Sequence, residues 1–212
     1  MPELLVELIS EEIPAGMQQP AAAALAKALR DGLAERQMAL AADAMTPFAT
    51  PRRIGLVATD VPAAEPTRTV RRRGPRVDAP ETAQAGFRRS LVGTTHRVEE
   101  VEEKKGRFLV AHIEEGGAAT ADVVKDVLEA FLPRFPWPKS MRWGDGDARW
   151  VRPLHRILCL LDGEVVPLAF AGLEAGDRTV GHRFMAPAVV AVSNGGDHIV
   201  RLAAAKVVRD AA

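Results

Sequence analysis

The chain has 212 residues, 47% of them hydrophobic, enough to bury a core and to form one large domain or two small ones. Its 28 Lys and Arg balance 28 Asp and Glu, so no net field draws the whole molecule to nucleic acid or a membrane, and any electrostatic attraction must come from local patches. The single cysteine, Cys159, excludes an internal disulfide; it sits in the apolar run ILCLL (157–161), where it reads as a small buried hydrophobe.

In chain order, LLVELI (4–9) is a short apolar run broken by one acid and predicts a largely buried strand. After SEEIPAGM, an alanine-rich segment to about Ala42 repeats Met17, Leu25, Leu29, Leu33 and Leu40 at helical spacing, with Pro14 suited to the first turn and Glu11 and Glu12 before the positive end of the helix dipole. MTPFATPRRIGLVATDVP (45–62) reads as a turn followed by the strand IGLVAT, TRTVRRRGPRV (67–77) as a loose strand ending in a Gly-Pro turn, and PETAQAGFRRSL (80–91) as a short helix. HRVEEVEEKKGRFLVAHIEE (96–115) predicts a hairpin turning at Lys104-Lys105-Gly106, and TADVVKDVLEAFLPRF (120–135) a second amphipathic helix ended by Pro133. Beyond 136 the pattern is β-rich, with strands expected near 139–143 and 149–151, a turn at Asp162-Gly163 and a further piece near 178–184. The tail HIVRLAAAKVVRDAA reads as a helix without a C-cap, which suggests a chain that continues.

The expected architecture is α+β, mostly antiparallel sheet with two prominent amphipathic helices, forming one unit over 1–212 with a subdivision near 135 as the variant. No window approaches the roughly 18 apolar residues of a membrane span. MPELLVELIS carries no basic leader, so a cytoplasmic location without a membrane partner is expected.

No G-x-S-x-G elbow, C-x-x-C, H-E-x-x-H, Walker A or G-x-G-x-x-G element appears, and His182 and His198 read as structural histidines. GDGDAR (144–149) reads as a tight turn, since its aspartates would repel phosphate. Arg71, Arg72 and Arg73, with Arg68 and Arg76, form a basic run suited to gripping phosphates. EEVEE (99–103) is equally dense in acid, so an internal or inter-subunit charge match and an RNA contact stay open. FPWPKSMRWG (135–144) raises the same choice. As a strand it sets Lys139, Met141 and Trp143 on one face and Ser140 and Arg142 on the other, which favours a half-buried edge strand with Trp143 inward over a stacking platform for RNA.

Taken together, LLVELISEEIPAGM (4–17), ATPRRIGLVA (49–58), RGP (73–75), GFRRS (86–90), PKSMRWG (138–144), RWVRPLHRILCLLD (149–162), TVGHRFM (179–185) and AKVVRD (205–210) resemble, in order and over essentially the whole chain, the β subunit of bacterial two-subunit-type glycyl-tRNA synthetase. The chain departs from the family pattern at Ile9, where glycine is common, at Ser10, where threonine is usual, and at Val180, where an arginine normally precedes Gly-His-Arg-Phe. The resemblance implies an N-terminal part of a longer subunit, without catalytic residues, cofactor or metal of its own. ATP with magnesium, and the adenylation of glycine, are then expected at a separate catalytic α subunit. The implied partners are that α subunit, tRNA(Gly) and the remaining β-subunit domains in a heterotetramer. Arg52, Arg53, Arg71, Arg72, Arg73, Lys139, Arg142, Trp143, Arg152, His155, His182 and Arg183 are the expected RNA-binding or subunit-interface residues. A self-contained RNA-binding module and a hydrolytic editing domain are the alternatives.

Overall fold

A computed structural model describes residues 2–103 and 106–209. The elements are β1 (Leu4–Ser10), α1 (Ala15–Glu35), β2 (Met45–Thr50), β3 (Arg53–Ala58), β4 (Arg68–Arg76), α2 (Glu81–Arg89), β5 (Thr95–Glu103), β6 (Gly106–Glu115), α3 (Thr120–Phe131), β7 (Leu154–Leu161), β8 (Glu164–Val165), β9 (Ala169–Phe170), β10 (Leu173–Gly176), β11 (Arg178–Val180), β12 (Val189–Ala191) and α4 (Gly195–Ala204). This is an α+β fold, and among the described residues every strand pairing is antiparallel except that of β7 with β10.

The chain divides into two compact units, one running to Glu65 and resuming at Ala118, the other being Pro66–Gly117. The division is therefore an insertion and not a cut near 135. Its two legs are tied together within the first unit: Ala64 bridges Ala119, and the Glu65 amide donates to the Ala118 carbonyl at 2.9 Å. Residue 135 lies instead inside a core, because Phe135, 9% exposed, is surrounded by aromatic rings.

In the first unit the sheet runs β2-β3-β1-β7-β10-β9, with β8 also on β7. All seven residues of β1 are buried, which explains its nearly unbroken apolar text: a central strand covered on both faces loses the polar alternation. Leu4, Val6 and Leu8 join the larger core with Leu25, Leu29 and Leu33 of α1 and Val123, Val124 and Leu128 of α3. Leu5 faces the other way, into a smaller cluster with Phe48, Leu158, Leu160 and Val192. Cys159 is fully buried, and burial pushes its thiol up to about 12, so it packs as a hydrophobe.

Several expected boundaries are corrected. Helix α1 stops at Glu35, short of Ala42, because Gln37 turns left-handed (φ 58°) while Gln37 and Met38 donate back to Ala34 and Leu33. Helix α4 ends the same way at Lys206 (φ 62°), with Lys206 and Val207 donating to Ala203 and Leu202, so the helix expected to lack a cap has one. MTPFAT is itself a strand, tolerated with Pro47 because β2 lies at the sheet edge. The strands expected at 139–143 and 149–151 reduce to one bridge, Met141 to Trp150. The turn at Asp162-Gly163 is present, both residues at positive φ (51° and 85°) as a two-residue hairpin requires.

The segment FPWPKSMRWG is not the expected edge strand. Phe135 stacks on Trp137 (4.5 Å), both meet the fully buried Trp150, and Trp143 packs partly buried against the same core, while Lys139 and Arg142 stay exposed. Its aromatic residues anchor the loop, and its cations are left at the surface.

The second unit is a three-stranded sheet, β4-β6-β5, with α2 on one face. Phe87 and Leu91 pack on Ala111, Ile113 and Val98, and a Cβ at Gly74 would stand 2.6 Å from the Phe87 ring, so only glycine lets α2 sit this close to β4. Lys104 and Lys105 of the expected turn lie outside the described residues.

Candidate interaction site at the end of the first strand

Four blocks far apart in sequence meet where β1 ends. One is a buried polar group. Glu7, 0% exposed on β1, accepts from Arg53 Nε (3.0 Å) on β3, Thr179 Oγ1 (2.5 Å) on β11 and His198 Nε2 (2.9 Å) on α4. Arg53 also donates to the Val180 carbonyl, and His198 tilts against Phe48 at 5.5 Å. A buried carboxylate persists only when paired and hydrogen-bonded, and here its partners come from three other elements. Burial works to raise the Glu7 pKa, but the His198 hydrogen bond and the charges of His198 and Arg53 outweigh it and hold the carboxyl below its ordinary range.

The second group is at the surface. Glu11 accepts from His155 Nε2 (2.8 Å) and pairs with Arg52 (3.4 Å) and Arg183 (3.8 Å), while Arg183 also reaches Glu12 (3.1 Å). The His155 hydrogen bond is the largest influence holding the Glu11 carboxyl below its usual range; slight burial opposes it and the Arg52, His155 and Arg183 charges add to it. Glu11 and Glu12, in the turn before α1, thus hold ion pairs with Arg52 and Arg183. Beneath them the buried Trp150 indole donates to Ser10 Oγ (3.0 Å). The departure at Ser10 keeps that acceptor, since serine and threonine share the hydroxyl.

Around these pairs lie two clefts sharing Arg52, Gly181 and Arg183. The larger, ≈ 350 Å³, has Pro51, Phe184, Val207 and Val208 as apolar wall and Arg52, Arg183 and Lys206 at its rim. Phe184 (77%), Met185 (68%) and Val208 (75%) are exposed, and the Arg183 guanidinium lies 4.8 Å from the Phe184 ring centre. His182 Nδ1 accepts from the Phe184 and Met185 amides (3.3 and 3.2 Å), so this histidine shapes the loop that presents them. Val180 lines the smaller cleft, where the usual arginine would have added a cation. Chemically this surface suits an apolar side chain of a partner.

Of the residues expected from sequence, Arg52, His155, His182 and Arg183 meet here. Arg53 does not belong to the surface: 4% exposed, its guanidinium is used internally by Glu7 and Val180. Lys139, Arg142, Trp143 and Arg152 belong to the loop before β7, where Arg142 pairs with Asp147 (3.5 Å) and Arg152 lies 3.9 Å from Met141 Sδ. In the second unit Arg71 and Arg73 both pair with Glu103 (3.0 and 3.2 Å), an internal charge match between the basic and acidic runs. Arg72, one residue out of phase, takes the opposite face. Sequence reasoning missed the buried group of Glu7, Thr179 and His198 and the ion pairs of Glu11 and Glu12. The available signal was the acid in LLVELI, since an ionisable residue in a doubly buried strand requires partners.

The family model described as glycyl-tRNA synthetase beta subunit matches residues 4–212. Among curated proteins, the chain is 48% identical over 216 residues to the glycine–tRNA ligase beta subunit of Paracoccus denitrificans (strain Pd 1222), with all of this chain and 31% of that protein covered. It is 48% identical to the Dinoroseobacter shibae protein of the same name (100% and 30% covered) and 49% identical to that of Cereibacter sphaeroides (strain ATCC 17029 / ATH 2.4.9) (100% and 31% covered). The chain spans slightly less than a third of the length of these relatives. The match covers every block that meets at the end of β1, and the chain belongs to the glycyl-tRNA synthetase beta subunit family, of which it forms an N-terminal part.

Proposed function

We propose that this chain is a non-catalytic docking and scaffolding part of a glycine–tRNA ligase, supporting ATP-dependent aminoacylation of tRNA(Gly) in the cytoplasm. Adenylation, with ATP and magnesium, belongs to a separate α subunit in a heterotetramer. The observation that carries the reading is the exposed Phe184–Met185 pair beside a cleft whose rim arginines are already held by Glu11 and Glu12. Exposed aromatic and methionine side chains next to arginine are the composition of a protein interface, and cations so neutralised have little left for phosphate. The relatives' name, beta subunit, implies a partner chain.

The test is size-exclusion chromatography of this chain with purified α subunit at low and moderate salt. Co-elution at both is expected, with loss of the complex in Phe184→Asp/Met185→Asp at an unchanged melting temperature. Separate elution of the wild-type chain, or undiminished co-elution of the variant, overturns the assignment.

A further inference from the structure

Among the cations around the end of β1, Arg156 differs from its neighbours. Arg53 is held by Glu7, and Arg52, His155 and Arg183 all reach Glu11. The Arg156 side chain makes no hydrogen bond, ion pair or ring contact among the described residues. Its place in the sheet explains why. Arg156 lies opposite Ile9 in the β1–β7 register, and alternation puts Glu7 next along that face of β1. Glu7 is already committed to Arg53, Thr179 and His198, and Glu11 to its own cations. Arg156 is nevertheless half-buried. It lines the smaller cleft, ≈ 270 Å³, together with the apolar Ile9, Val180 and Pro187.

We infer that this cleft receives one carboxylate from an acidic side chain of the docked protein, with Arg156 as its counter-ion. A guanidinium and a carboxylate match through two parallel, charge-assisted hydrogen bonds, and inside a cleft the pair is less screened than on an open surface. The class of ligand follows from what surrounds Arg156. Ile9, Val180 and Pro187 suit the methylenes of a glutamate stem, which a bare phosphate lacks. Arg52, His155 and Arg183 are engaged by Glu11, so the cleft offers one free guanidinium, enough for a monoanion. The Glu11 carboxylate, which lines the same cleft, repels any second negative charge. The larger cleft thus takes an apolar side chain of the partner and the smaller one its charge. The identity of that partner rests on the docking reading above, whereas the carboxylate site itself does not.

The experiment has two arms. In the first, the isotope-labelled chain is titrated by heteronuclear NMR, at constant ionic strength, with N-acetylglutamate α-amide, its glutamine counterpart and inorganic phosphate. A single charge-assisted pair implies a dissociation constant on the order of 10–100 mM, so saturable shifts of the Val180 and Gly181 amides are expected over that range with the glutamate probe. The glutamine probe should leave them in place. Arg156→Gln should abolish the response at an unchanged melting temperature, and Arg156→Lys, which keeps the charge without the paired geometry, should fall between. No saturable shift with the glutamate probe overturns the site, as does a response unchanged in Arg156→Gln or tighter binding of phosphate. In the second arm, calorimetric titration with the purified α subunit should show Arg156→Gln weakening the complex about ten- to a hundredfold and reducing its salt dependence. A complex that forms with undiminished affinity in Arg156→Gln overturns the assignment of the carboxylate to the partner. Failure of the wild-type chain to bind the α subunit sinks the docking reading instead, and the first arm still decides the site.

Discussion

Substituting Glu7 by leucine removes the carboxylate that joins β1 to β3, β11 and α4. It leaves the Arg53 guanidinium buried, with the Val180 carbonyl as its remaining hydrogen-bond partner. Removing one member of a buried ion pair costs about 3–5 kcal/mol, most of it from the charge left behind. In a protein of this size each kcal/mol lowers Tm by about 2–4 °C, so the midpoint should fall on the order of 10 °C. The assay is urea unfolding, with the midpoint moved and the m-value kept. Arg53→Met alone should cost a similar amount, because it strands Glu7 with His198 and Thr179. The double variant Glu7→Leu/Arg53→Met should lose clearly less than the sum of the two single losses, because neither Glu7 nor Arg53 then strands the other, while buried His198 and Thr179 still lack their acceptor. Losses that simply add in the double variant would refute the reasoning. Acid adds a second readout. The folded Glu7 holds its proton less tightly than the unfolded chain does, so its stabilisation is complete above the ordinary carboxylate range and is lost as pH falls through the lowered folded pKa. The Glu7→Leu protein should therefore show a flatter acid limb in a plot of stability against pH.

Gly55→Ala should destabilise by about 1–3 kcal/mol in the same unfolding assay, since the added Cβ meets Phe48 Cζ and the Val6 carbonyl at 2.4 Å. Ser10→Ala should cost about 1–3 kcal/mol by leaving the buried Trp150 indole N–H without its acceptor, whereas Ser10→Thr should fall well below that range, as melting curves would show. Replacing residues 66–117 by a short glycine linker should leave the first unit folding cooperatively, because Ala64 and Ala119 are already paired; a molten near-UV circular dichroism spectrum would contradict this.

The sequence was most informative where one local rule decides the outcome. Val123, Val124 and Leu128 mark the buried side of α3, Asp162-Gly163 marks a hairpin, and LLVELIS marks a strand covered on both faces. The facing of EEVEE against the arginine run was open and resolved only once β4 and β5 were seen to share β6 as neighbour. The rest depended on long-range geometry. Glu7 reads as an interruption until residues 53, 179 and 198 are brought to it, from 46, 172 and 191 positions away. The insertion is more densely charged than the rest of the chain, but its limits are set by a pairing between Ala64 and Ala119 that no local pattern marks. The helix ends at Gln37 and Lys206 were missed because both use a left-handed residue that is not glycine, which the search for glycine caps passes over.

The tied legs of the insertion have a thermodynamic consequence. An unstructured loop of about 50 residues costs roughly 3.5 kcal/mol in the length-dependent part of its closure entropy, whereas one whose ends are already held together adds almost none. While the second unit is folded, the first experiences it as a short connection; when it melts, the same covalent chain becomes an entropic spring pulling Ala64 from Ala119. Damage to Leu91 or Ile113 would then be felt in the stability of β1, through the polymer statistics of the intervening chain and with no contact required.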